Sequence, residues 1–152
     1  MIAANVSSVT PVSEYRGDVY TQSVKLTLSN GTTVTVFDGV ASLSAGVKIE
    51  RVRLAGQAVE VERRDIETQP SRVQPVDGEH LGEWAHRVYG TVVADHDGHA
   101  YVIDVDGLEV EIELASTLTE TPETAQLRVG SDVSVVVNRL DLDDYDHVTD
   151  EK

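Results

Sequence analysis

The sequence predicts an all-β protein made of two small five-stranded barrels in tandem, with at most one short helix in the second. Three observations carry that expectation. Val24, Leu26 and Leu28 alternate with Lys25, Thr27 and Ser29, and Val34 and Val36 alternate with Thr33, Thr35 and Phe37, the period-two signature of a sheet with one buried face. Asn30-Gly31, Ala55-Gly56 and Asp106-Gly107 mark tight turns between such runs. The order of strand-like runs then recurs across 88–137, with Val59 and Val61 answered by Val133 and Val135.

Taken in order, the first segment is apolar-alternating at Val6, Val9 and Val12 and reads as a leading strand. Residues 15–20 read as the first barrel strand, with Gly17 as a bend or bulge. A two-residue Asn-Gly loop would set Leu28 against Thr33 and split the apolar faces. A three-residue loop, with Gly31 left-handed, is therefore expected, pairing Leu28 with Val34 and Leu26 with Val36. That register puts Phe37 on the outer face with Lys25, Thr27 and Thr35.

Residues 39–45 form a polar turn. Val47 and Ile49 then face inward, as do Val52 and Leu54 on the opposite parity, so a bulge is expected near Glu50-Arg51. A turn at Ala55-Gly56 and a strand through Val59 and Val61 complete a first unit over 1–69. Pro70, Pro75 and Gly78 make 70–79 a linker.

The second unit covers 80–140. Residues 80–86 could form one helical turn carrying Trp84. The Asp106-Gly107 loop pairs Val105 with Leu108, Ile103 with Val110 and Tyr101 with Ile112, all apolar, so a two-residue hairpin suffices. Thr121-Pro122-Glu123 has the N-cap, proline and acid of a helix start. Residues 141–152 read as a solvated acidic tail.

The chain has 152 residues, with 12 basic against 27 acidic side chains and a net charge of −15. The charge is uneven: residues 1–70 carry a net −1 and residues 71–152 a net −14. Zero cysteines exclude disulfides, zinc ribbons and thiol catalysis. No run of apolar residues is long enough to span a bilayer, and the first residues lack the basic start and length of a signal peptide. A cytoplasmic location is the expectation. His96, Asp97 and His99 sit with Asp95 around one turn, a spacing that could hold a metal, but a polar hairpin tip explains the same residues and is the reading taken. Asp141, Asp143, Asp144 and Asp146 lack the glycine and terminal glutamate of a calcium loop. No phosphate loop, nucleophile triad or paired catalytic carboxylate stands out, so neither an enzyme nor a cofactor is expected, and no metal.

The run Asn30-Gly31-Thr32, Val34-Thr35-Val36-Phe37-Asp38, Gly46-Val47-Lys48-Ile49 and Gly56 resembles the single-strand-binding OB domains of replication protein A and of archaeal single-strand-binding proteins. The resemblance covers about residues 15–62. It implies an OB-like fold for the first barrel, which the repeated strand order extends to the second, and single-stranded DNA or RNA as partner of the first. It also implies a base stacked on Phe37, with Thr35, Tyr20, Lys25, Lys48, Arg51 and Arg53 along the groove. A second aromatic, common in that family between strands four and five, is missing from 53–57 here. The acid-rich, lysine-poor composition resembles that of proteins from salt-accumulating halophiles, where carboxylates keep a surface hydrated in molar salt. An acidic protein that meets basic partners is the rival explanation.

Each of these residues has a plainer alternative. Phe37 is either a stacking platform or a ring covered by the linker or the second unit. Arg51 lines the groove or pairs with Glu60 across the Ala55-Gly56 turn. Tyr15 and Tyr20 flank the groove or are ordinary strand residues. In the second barrel Asp104, Glu109, Glu111 and Glu113 share the outer face, which repels a phosphate backbone and suits a protein partner. Two functions follow: single-stranded nucleic-acid binding by the first barrel, or a non-enzymatic adaptor that uses small barrels to contact proteins. An open Phe37 groove favours the first, and a groove filled by Trp84 or the linker favours the second.

Overall fold

The computed structural model describes residues 2–39, 43–64, 67, 70–76, 84–96, 100–114 and 127–150, the last eight of these as backbone only. They form ten strands and no helix among the described residues. The strands are β1 (Ile2–Tyr15), β2 (Asp18–Leu28), β3 (Thr33–Asp38), β4 (Val47–Arg63) and β5 (Arg72–Pro75). They continue with β6 (His86–His96), β7 (Ala100–Val105), β8 (Leu108–Leu114), β9 (Asp132–Val137) and β10 (Asp141–Asp150). The all-β class is as expected.

A closed five-stranded barrel lies at the centre. Strands β6, β7 and β8 run as consecutive hairpins, and β9 returns beside β6, a Greek-key order. The later half of β4 closes the circuit, parallel to β8 from Arg53 to Ala58 and antiparallel to β9 from Ala58 to Arg63. The remaining strands repeat this plan. Strands β1, β2 and β3 follow one another, and the early part of β4 lies beside β1. Here the closing strand is β10, which runs along β4 and meets β3 at one parallel pair, Asp141 with Phe37. The Phe37 amide donates to the Leu140 carbonyl (2.8 Å) at that seam.

The two five-stranded circuits are therefore not arranged as separate units over 1–69 and 80–140. Each takes its closing strand from the other part of the chain, and β4 belongs to both. At roughly 3.3 Å per residue, a strand of 17 residues is long enough to traverse two small barrels. One contiguous core results, running from Ile2 and Val6 through Val24, Leu26, Ile49 and Leu54 to Ile103, Val110, Val135 and Leu140.

Gly56 explains why no turn forms at Ala55-Gly56. It sits inside β4 opposite Ile112. A β-carbon there would overlap the Val137 side chain and stand 2.5 Å from the Arg139 carbonyl oxygen. The glycine serves a close backbone approach, not a bend. The expected 53–57 loop is strand throughout, and Arg51 has no Glu60 across from it. Glu60 pairs with Val136 and lies 3.9 Å from Arg87.

Three further expectations are corrected. Residues 15–20 are not a barrel strand: Arg16 and Gly17, both at positive φ, make the two-residue turn between β1 and β2. Residues 72–75 of the presumed linker pair with β6 from Tyr89 to His86. The presumed tail is β10. Its apolar residues Leu142, Tyr145 and Val148 stand opposite Leu54, Val52 and Ile49, and Asp144 and Asp146 stand opposite Arg53 and Arg51. The acidic segment thus pairs with the part of β4 that carries Arg51 and Arg53. The helix start at 121–123 lies outside the described residues, as do 97–99 of the histidine-aspartate turn.

The Asp106-Gly107 hairpin has the register expected of it, with Val105, Ile103 and Tyr101 opposite Leu108, Val110 and Ile112. The bulge near Glu50-Arg51 is also present: Ile2 and Ala4 of β1 face Val52 and Ile49, leaving one extra residue on β4. In the first hairpin the loop is Ser29-Asn30-Gly31, with Leu28 hydrogen-bonded to Thr32, Leu26 opposite Val34 and Val24 opposite Val36. The Asn30 side-chain oxygen accepts from the Thr32 amide (3.0 Å) and holds this loop. The register slides by two residues from the expected one, and the faces are unchanged.

A buried polar cluster ties β4 to the central barrel. The Arg64 guanidinium donates to Asp132 (2.8 Å), Ser71 (2.9 Å) and Thr91 (3.2 Å). The Thr91 hydroxyl bond, followed by Arg64, holds the Asp132 carboxyl below its ordinary range against a partial loss of hydration.

Candidate functional site

Phe37 lies on the outer face of β3, opposite Ser23, with Lys25 opposite Thr35 beside it. Lys25 is exposed, and Thr35 and Phe37 are half-buried. The ring is covered. Trp84 meets it edge-on at a centroid separation of 5.2 Å, and the Arg139 guanidinium lies 4.3 Å from its centre. The Trp84 indole N–H donates to the Ser23 hydroxyl (3.2 Å), and Arg139 is fixed by Asp141 (2.7 Å).

This cover is built by the chain just ahead of β6 and just ahead of β10. The Trp84 carbonyl accepts from the Leu140 amide (2.9 Å) and from His86 Nδ1 (2.8 Å). His86 is buried, and loss of hydration holds its pKa below 6.5; because a carbonyl oxygen only accepts, its Nδ1–H is the donor. The contacts on Phe37 thus form the seam where β3, β10 and the start of β6 meet.

The basic residues of the expected groove do not join this face. Strand β10 lies between β3 and β4 in the sheet. Lys48, Arg51 and Arg53 are on β4, in register with Thr149, Asp146 and Asp144. Arg53 also reaches Glu109 on β8, with its Nη2 3.1 Å and 3.4 Å from the two carboxylate oxygens. Lys25, Thr35 and Phe37 are therefore together, while Lys48, Arg51 and Arg53 form a second group across an acidic strand. Tyr20 belongs to neither.

Tyr20 stands on a projecting ribbon. Strand β1 touches β4 only as far as Asn5, and β2 touches β3 only from Gln22 onward. Beyond those points β1 and β2 have, among the described residues, only each other as strand neighbours, and residues 11–20 are all exposed. Tyr15 is 59 % exposed, Tyr20 52 %, Val12 46 % and Val19 36 %. The Arg16 guanidinium lies 5.2 Å from the Tyr15 ring at the tip. The sequence reading missed this arm. Its signal was the uncharged run 3–13 facing the uncharged run 19–24 across a turn with two aromatic residues beside it.

On the central barrel, Asp104 stands opposite Glu109 and the carboxylates share the outer face as expected. Arg53 neutralises Glu109, and His96 lies 4.0 Å from Glu111. Among the described residues no three His, Cys, Asp or Glu side chains are grouped to hold a metal ion. No helix among them is long and apolar enough to cross a membrane. No protein-family model matches the chain, and a search of curated proteins finds no match to it either.

Proposed function

We propose that this chain is a non-enzymatic protein-contact module, and that its contact element is the β1–β2 arm. The observation that carries this reading is where the exposed apolar residues gather: among the described residues four of the six large ones, Val12, Tyr15, Val19 and Tyr20, lie on the arm, with Val93 and Val129 elsewhere. The cover on Phe37 supports it from the other side. A ring already engaged by Trp84 and Arg139 offers no face to a base unless those contacts are broken. Although Val93 on the neighbouring β6 is exposed, the acidic outer face of β7 and β8 is a solvated surface in this reading. Its composition suits the cytoplasm of a salt-accumulating cell, which belongs to the same proposal.

Single-strand binding is the rival, supported by the OB resemblance and by Lys25 and Thr35 lying together beside Phe37. In molar salt counterion release contributes little, so binding would need stacking worth about 1–3 kcal/mol per base. A fluorescence-anisotropy titration with labelled single-stranded DNA and RNA in high KCl separates the two. The protein-contact reading predicts no saturable binding. Saturable binding that is lost in Phe37→Ala would overturn it.

A further inference from the structure

The arm is the least charged part of a strongly acidic protein. Its three charged residues, Glu14, Arg16 and Asp18, crowd the turn and carry only one of the fifteen net negative charges. A basic partner would find its complement on the acidic β7–β8 face, yet four of the six large exposed apolar side chains among the described residues are on the arm. A phosphate-bearing partner would meet a single arginine on the arm. A second copy of this chain fits better. From Gln22 to the turn the ribbon reaches roughly 15 Å at about 3.3 Å per residue, farther than the screening length of about 10 Å in 0.1 M salt. Contact between two arms would keep the acidic barrels apart while covering exposed apolar side chains on each.

The tip is also complementary to itself. Its charges alternate as acid, base and acid at Glu14, Arg16 and Asp18. A two-fold apposition sets the arginine of each copy against an acid of the other. Edge-to-edge pairing is discouraged, because Pro11 lacks an amide donor and the β1–β2 register shifts after Val6, after Pro11 and after Ser13. The contact is therefore between side chains on ribbon faces. We infer that two copies of this chain associate through their β1–β2 arms, with Tyr15 and Tyr20 as anchors and Arg16 as the residue that sets the pairing. This rests on the protein-contact reading above and names its partner.

Sedimentation velocity over a concentration series, at low and at molar KCl, tests it. The expected result is a dimer that strengthens with salt, as body repulsion is screened and apolar contact is favoured; a basic partner would bind more weakly instead. Tyr15→Ser/Tyr20→Ser should be monomeric with unchanged far-ultraviolet circular dichroism, and its melting temperature should match that of the wild type at concentrations low enough to dissociate the dimer, since both side chains are exposed. Arg16→Glu should also be monomeric, and mixing it with a Glu14→Arg/Asp18→Arg copy should restore the dimer. A monomer at every salt concentration overturns the second copy as partner. A dimer that survives the double tyrosine change overturns the arm as its contact. The single-strand titration is a separate readout, so failure of the protein-contact reading itself shows there.

Discussion

Replacing Phe37 by alanine separates a structural ring from a binding ring. The structure gives Phe37 an edge-on contact with Trp84, a guanidinium over its face and a half-buried position. The aromatic pair is worth about 0.5–1.5 kcal/mol and the cation contact about 0.5–1 kcal/mol at a partly exposed site. Partial loss of ring burial adds about 1 kcal/mol, given 1.5–3 kcal/mol for a fully buried apolar side chain. These terms overlap, so the expected loss is about 2–3 kcal/mol. Urea unfolding in molar KCl, followed by far-ultraviolet circular dichroism, measures it as a lower midpoint at unchanged slope. The same change in a Trp84→Leu background should cost about 1 kcal/mol less, the coupling expected of an aromatic pair. A loss below about 0.5 kcal/mol would refute the reasoning, because that is the range of uninvolved surface substitutions.

Other perturbations probe different parts of the molecule. Gly56→Ala should destabilise by about 1–3 kcal/mol through overpacking against Val137 and the Arg139 carbonyl, and Gly56→Val should yield little folded protein; thermal melts check both. Burial holds the His86 pKa below 6.5, so the unfolded chain takes up the proton first as pH falls. The stability His86 confers is thus full above that value and declines below it. Unfolding of wild type against His86→Gln across pH 5–8 should show the wild type losing more on the acid side. Melting temperature should climb steeply with KCl, because Asp104 faces Glu109 across a strand pair and the chain carries −15; a flat salt profile would contradict the halophile reading.

The parts of the fold that a local rule determines could be read in advance. Around Asp106-Gly107 the three cross-strand pairs are apolar in one register only, and that register is present. The parity switch from Ile49 to Val52 demanded a bulge, and one is there. In the first hairpin two registers kept the apolar faces together. The choice between them lay in a hydrogen bond from the Thr32 amide to Asn30, which hydrophobic pattern does not encode. The exchange of closing strands lay further out of reach. Leu142, Tyr145 and Val148 are three residues apart, because β10 shifts register after Leu142 and then follows a bulged β4, so the segment lacks period-two alternation and resembles a tail. Gly56 carried the opposite message from its real one, since a turn and a close approach both call for glycine.

The candidate site was legible to the same extent. The outer-face position of Phe37 followed from parity alone, whereas Trp84 and Arg139 reach it from 47 and 102 residues away through the strand exchange. Lys48, Arg51 and Arg53 could be assigned to a strand, but the acidic strand that separates them from β3 could not.

The exchange itself can be tested by cutting the chain. A protease site introduced after Glu67 would leave β1 to β4 on one fragment and β5 to β10 on the other. Each barrel would then depend on a strand from the opposite fragment, β10 for the first and the later half of β4 for the second. The interlocked architecture predicts that the nicked protein elutes as one species at the position of the uncut protein and melts in a single transition. Two fragments that separate without denaturant, each keeping its sheet signal and melting on its own, would contradict it.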